Sequence, residues 1–187
     1  FSKSKSFAIE PRSGTKFLRL IASLTKGTLL NDFESLTANG TWAISDGGSN
    51  LAVDSVIFIT GSNSLSFDVT GNSTSTLTNS TMTQVDLTSH KNISSLFLWI
   101  YMPTAANVTN VILRWGSDAD NYYTRTVTTA HPSNAFQNGW NLLRFDWSGA
   151  TTVGSPAITA MDYVLITITH TATDTGYRVD SLISTLP

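Results

Sequence analysis

Residues 94–103, SSLFLWIYMP, constrain the fold more tightly than any other stretch. Read as a β-strand, they send Leu96, Leu98, Ile100 and Met102 to one side and Phe97, Trp99 and Tyr101 to the other. Both sides are apolar. A strand with one wet face carries polar residues at every second position, so both faces of this one must be covered. The fold therefore needs a layer on each side of it, and the identity of the second layer bears on what the chain does.

The rest of the chain supports strands throughout. Charged residues make up 13% of the 187, about half the usual share, so hydroxyls and amides must solvate much of the surface. Ser and Thr together exceed a quarter of the sequence. Threonine beside many Val, Ile and aromatic residues favours a pleated surface over a helix. From Leu29 onward, short alternating runs are separated by Gly, Asn, Asp, Ser and Pro, which places strands near 29–36, 52–59, 63–70, 76–87, 94–102, 108–116, 121–129, 140–147, 161–170 and 176–184. Strands without intervening helical patterns imply an all-β, two-sheet antiparallel sandwich over residues 29–187. The threonine alternation in TGNSTSTLTNSTMT suits an exposed edge strand, and SGATTVGSPA is long enough to cross between sheets.

Residues 1–28 differ in kind. Lys3, Lys5, Arg12, Lys16, Arg19 and Lys26 stand against Glu10, a net +5, so the total of −2 leaves −7 on the remainder. Phe17, Leu20, Ile21 and Leu24 fall at helical spacing between a Thr15 cap and Gly27, which predicts a short amphipathic helix over 15–25 in a basic arm. A helix of about ten residues is unstable alone, so its apolar face needs a host in this chain or in a neighbouring subunit. Six scattered basic residues without an aromatic-rich groove do not read as a nucleic-acid site. No apolar run approaches the length of a membrane span, no cysteine is present, and a chain beginning at Phe1 fits a processed or larger parent protein.

Strand parity sorts the candidate site residues. Leu143, Phe145 and Trp147 form a core stripe, which leaves Leu142, Arg144 and Asp146 opposite. Val111, Leu113 and Trp115 point inward, leaving Ile112 and Arg114, and Val164, Ile166 and Ile168 point inward, leaving Tyr163, Leu165 and Thr167. Together with Phe97, Trp99 and Tyr101, these strands are expected to offer one second face that is aromatic and aliphatic yet dotted with charge.

The order NDFES, Trp42, GSNSLSFDV, LFLWIYMP, GWNLLRFDW and YRVDSL resembles the calcium-containing jelly-roll carbohydrate-binding modules of galactose-binding-like fold, over roughly residues 30–184. The resemblance implies a structural calcium held by Glu34 and Asp180, with Asp46 and Asp54 as further oxygen suppliers. It also implies sugar binding through a sheet cleft or loop tips. Trp99, Tyr101, Arg114, Arg144 and Asp146 are the candidates on the second face. Tyr123, with Tyr122, Asp118 and Asp120, is the candidate at a hairpin tip. Aromatic rings match the C–H face of a pyranose, and planar polar side chains direct contacts to its hydroxyls.

Catalytic signatures are missing from the sequence. His90, His131 and His170 lack metal spacing, no nucleophile elbow or phosphate-binding loop occurs, and nothing singles out a facing carboxylate pair. The expected function is a non-catalytic binding module for carbohydrate on a larger extracellular or particle-bound protein. The alternative is a structural or attachment subunit of a virion or other surface assembly, in which the arm makes a homo-oligomer and covers the second face.

Overall fold

In the computed structural model, which describes residues 27–186, the alternating segments form twelve strands in two six-stranded antiparallel sheets. In chain order they are β1 (Gly27–Asn31), β2 (Trp42–Asp46), β3 (Gly48–Asp54), β4 (Ser64–Val69), β5 (Ser73–Asn79), β6 (Ser95–Met102), β7 (Val108–Gly116), β8 (Tyr122–Val127), β9 (Gly139–Asp146), β10 (Thr151–Val153), β11 (Tyr163–His170) and β12 (Asp174–Thr185). One sheet runs β3-β4-β12-β6-β9, with β1 pairing the far end of β12. The other runs β10-β8-β7-β11-β5-β2. We call them the β6 sheet and the β11 sheet.

The inward stripes interdigitate as strand parity predicts. Leu96, Leu98, Ile100, Met102, Leu143 and Phe145 come from the β6 sheet, and Val111, Leu113, Val164, Ile166 and Ile168 from the β11 sheet; all are fully buried. Trp115, Tyr123 and Trp147 plug one end of this core, with ring centroids 5.1–6.0 Å apart. Offset and edge-on arrangements of this kind suit the ring quadrupoles and add to the area buried.

Several elements differ from expectation for local reasons. The first expected strand ends at Asn31, because the chain turns there with Phe33 at a φ of 57°. Strand β2 lies in TWAISDGG, where the Asp and Gly residues signal a turn; Asp46 does take a positive φ of 58°, but only at the strand's end. The apolar residues of 55–59 belong to a loop, not a strand. The threonine-rich β5 is not an edge, since it lies between β11 and β2. The SGATTVGSPA stretch, residues 148–157, does cross between sheets, from β9 to β10, which lies within it. The helix expected over 15–25 and the basic arm around it fall outside the described residues.

Candidate functional site

The expected single second face is two faces. Trp99, Tyr101, Arg144 and Asp146 lie on the outer side of the β6 sheet, whereas Arg114 lies on the outer side of the β11 sheet. Parity assigns a residue to inside or outside but does not say which sheet its strand joins. Tyr123 belongs to neither face: it is 3% exposed and packs on Trp115 and Trp147, so it cannot be a ligand contact at a hairpin tip. At that tip Asp118 is committed to the turn, accepting from Asp120 N at 2.9 Å and from Asn121 Nδ2, and these bonds hold its carboxyl below the usual range.

The outer face of the β6 sheet is largely closed by the chain itself. The guanidinium of Arg178 lies 5.1 Å from the Tyr101 ring centroid and donates to Asp54 at 2.7 Å, and Trp140 meets Tyr101 edge-on. His131 stands edge-on to Phe97 at 5.5 Å. Trp99, paired across the sheet with Leu142 and Asp180, is 4% exposed, so it offers no ring face to a sugar. Sequence placed Trp99 and Tyr101 on the correct side of the strand and could not reveal what closes over them.

The four acidic residues expected to hold calcium separate in the same way. Asp180 is buried and accepts from Ile59 N at 2.6 Å and Thr60 N at 2.9 Å on one oxygen, and from Thr60 Oγ1 at 2.9 Å on the other. Burial pushes its carboxyl pKa up, against the pull of these donors, and the nearby charge of Glu34 adds to the rise. Glu34 accepts from Ser62 N and Asn63 Nδ2 and lies directly over Gly61, whose φ of 65° and lack of a side chain the packing requires. Asp54 is spent on Arg178 and on Val56 N and Ile57 N, which hold its carboxyl low despite burial. Asp46 stands on β2 in the other sheet. Calcium takes six to eight oxygens. The 59–63 loop presents N–H and O–H donors to Glu34 and Asp180, so this donor set does not fit the ion. Among the described residues no group of three or more His, Cys, Asp and Glu side chains is arranged to hold a metal.

The β11 sheet carries an open site. A groove of about 470 Å³ crosses β2, β5, β11 and β7, with Asp46 at one end and Arg114 at the other. Its floor alternates hydroxyls with short apolar strips: Thr76 and Thr78 on β5, Leu165 and Thr167 on β11 and Ile112 on β7. The register makes this inevitable, because Thr78, Leu165 and Arg114 lie in one cross-strand row and Thr76, Thr167 and Ile112 in the next. Thr76 and Thr167 share a hydrogen bond of 3.2 Å. Arg114 is held with its Cζ 4.8 Å from the Tyr122 ring centroid, and its Nε is buried without a hydrogen-bond partner. Beside it, burial raises the pKa of the Tyr163 hydroxyl, while Arg114 pulls the other way. Arg114 also hydrogen-bonds the Tyr163 hydroxyl, so the guanidinium is fixed at the groove's end although its buried Nε finds no acceptor. Sequence reading found Arg114 but missed Asp46, Thr76, Thr78 and Thr167 as its neighbours. The available signal was the matched threonine alternation of two strands that pair with each other.

No family model matches the sequence, and no curated protein does either. Solved structures do match the fold. A family 11 carbohydrate-binding module from Clostridium thermocellum, in complex with a β-1,3-1,4-mixed-linked tetrasaccharide, superposes with a TM-score of 0.56 at 11% identity, over 85% of this chain and 95% of that one. A family 30 carbohydrate-binding module reaches 0.59 at 9% identity, over 86% and 99%. A carbohydrate-binding module of the β-sandwich superfamily, described as promiscuous in specificity, reaches 0.55 at 13% identity, over 82% and 60%. The chain thus has the β-sandwich fold of these modules.

Proposed function

We propose that this chain is a non-catalytic carbohydrate-binding domain and that a neutral oligosaccharide lies in the groove of the β11 sheet. The hydroxyl-lined groove with Arg114 at one end and Asp46 at the other carries this reading. The groove's volume lies within the range of about 300–1,000 Å³ usual for ligand sites. Arg114 donates to a sugar hydroxyl or ring oxygen, Asp46 accepts from hydroxyls at the other end, and the threonines serve both ways. Leu165 and Ile112 meet the C–H face of a pyranose. The β-sandwich fold shared with carbohydrate-binding modules supports the same reading, as does a groove whose contacts suit sugar better than an apolar ligand.

The setting that fits this reading is a domain displayed on a larger extracellular or particle-bound protein. Among the described residues no helix is long and apolar enough to cross a membrane. The deciding experiment is calorimetric titration of the full chain with β-1,3-1,4-linked glucan oligosaccharides and a panel of other neutral oligosaccharides. At least one should bind, and Arg114→Ala should weaken it by about 10- to 100-fold, the value of a charge-assisted hydrogen bond of about 1.5–3 kcal/mol. Binding unchanged by Arg114→Ala would remove the groove from consideration.

A further inference from the structure

The flank of the sandwich, where edge strand β9 meets β8, carries a second cavity of about 280 Å³ that the groove does not use. Three nitrogen-bearing side chains converge on it from three elements: Arg125 of β8, Arg144 of β9 and His131 of the loop between them. Asp146 is the one carboxylate in its wall, and Arg144 Nε already holds it at 2.7 Å. The wall therefore keeps one net positive charge, from Arg125, with His131 neutral.

Each side chain is set in place before any ligand arrives. Arg125 Nη1 donates to Gly149 O at 2.6 Å, and a Cβ at Gly149 would stand 2.7 Å from that nitrogen, so the guanidinium lies where only glycine leaves room. Arg144 Nε also donates to Ser95 Oγ at 3.1 Å, which leaves both its Nη groups for another acceptor. The His131 backbone N–H donates to Leu142 O at 2.7 Å, and paired bonds between Ala130 and Asn134 close the loop behind it. A planar guanidinium fork matches a carboxylate, and Arg144 keeps both Nη groups, and Arg125 its Nη2, for an acceptor in the cavity these residues line.

We propose that this flank cavity binds a carboxylate-bearing sugar, a single uronate residue of an acidic glycan. The carboxylate meets Arg125 and the Nη groups of Arg144. Ring hydroxyls meet Asp146 and the hydroxyls of Thr129 and Ser133, which also line the wall. A pyranose uronate carries both kinds of group on one ring, whereas a bare anion sets a like charge beside the Asp146 carboxylate, one oxygen of which Arg144 Nε and Ser95 Oγ already hold. The cavity lies just below the usual range for ligand sites, room for one ring and not for a chain. Burial and the charge of Arg144 hold the His131 imidazole below its ordinary pKa, with Asp146 opposing. An incoming carboxylate adds to the opposition and raises it.

The test follows the His131 imidazole by NMR while the full chain is titrated with D-galacturonate, with D-galactose as its neutral twin and with inorganic phosphate. Galacturonate should saturate, raise the His131 pKa, and bind at least tenfold more tightly than galactose or phosphate. Arg125→Gln and Arg144→Gln should each weaken it at least tenfold, while Arg114→Ala leaves it unchanged. If Arg125→Gln fails to fold, Arg144→Gln, on a half-exposed side chain, carries the test alone. Equal binding of galactose, or of phosphate, overturns the proposal. Loss of galacturonate binding in Arg114→Ala also overturns it, by moving the sugar to the groove, and leaves the groove reading intact.

Discussion

The two outer faces of this sandwich invert the usual expectation of where a ligand sits. The β6 face holds Phe97, Trp99, Tyr101 and Trp140, the side chains that a sugar would stack on, yet Arg178, His131 and the 59–60 loop close over much of it. The β11 face holds threonines, short aliphatic strips, Arg114 and Asp46, and it is open. Aromatic content therefore reports how much area a face must bury, and it does not report whether a ligand or the chain itself does the burying. An open groove lined by hydroxyls with a charge at each end is the better guide, because the chain itself does not cover it.

The largest expected effect tests the closed face. Trp99→Ala removes a side chain that is 4% exposed and should cost about 3–5 kcal/mol in denaturant unfolding while leaving oligosaccharide affinity unchanged. A variant that stays stable but loses sugar binding would mean that the β6 face, not the β11 face, meets ligand. The same face shows how far sequence carries. Which residues of β6, β7, β9 and β11 point inward follows from alternation alone, and the structure agrees at each of them. Which strands share a sheet follows from long-range pairing, such as Trp99 with Asp180 or Leu165 with Arg114, and local pattern holds no record of it. Strand β2 is hidden for a related reason: Asp46 and Gly47 do turn, and the short run before them becomes a strand only through its long-range pairing with β5.

The next effect sharpens what holds the 59–63 loop. Asp180→Ala leaves Ile59 N and Thr60 N without their acceptor and should cost about 2–3 kcal/mol, since a buried donor left unpaired costs about 1–3 kcal/mol. Asp180→Asn keeps one acceptor oxygen for both N–H groups and turns its amide toward Thr60 Oγ1, so it should lie within about 1 kcal/mol of the parent. If Glu34 and Asp180 act on the loop alone, a chelator leaves the melting midpoint where it was. A midpoint that falls on chelation and recovers with added calcium would show that the loop turns its carbonyls inward around an ion, and would return Glu34 and Asp180 to the role the family resemblance implies.

Within the open face, the contrast is between charge and hydroxyl. Arg114→Ala is expected to weaken oligosaccharide binding by about 10- to 100-fold with little change in stability. Thr76→Val removes one neutral hydroxyl and keeps the β-branched shape, so it should cost no more than about 1 kcal/mol in affinity. A Thr76→Val effect as large as that of Arg114→Ala would place the sugar across β5 and away from Arg114, at the Asp46 end of the groove.

The smallest expected effect separates the β1–β12 join from the flank by their response to acid. His90 is buried where β1, β12 and the loop before β6 meet; its Nδ1 lies 2.9 Å from Ser184 Oγ and its Nε2 lies 3.1 Å from Thr28 Oγ1. Burial lowers its pKa below the ordinary 6.5. The unfolded chain then binds a proton more readily than the folded one, so the contribution of neutral His90 is complete above about pH 6.5 and is lost as pH falls through the folded value. His131 is lowered too, first by burial and then by Arg144, and shares the same window and sign. Melting midpoints measured from pH 8 to pH 5 should fall on the acid side, and His90→Asn should flatten the slope more than His131→Asn does. His90 is enclosed at the join of three elements, whereas His131 edges a cavity that water can enter and relieve. An equal flattening by the two variants would show that the flank is as dry as the join, and would count against room there for a solvated sugar.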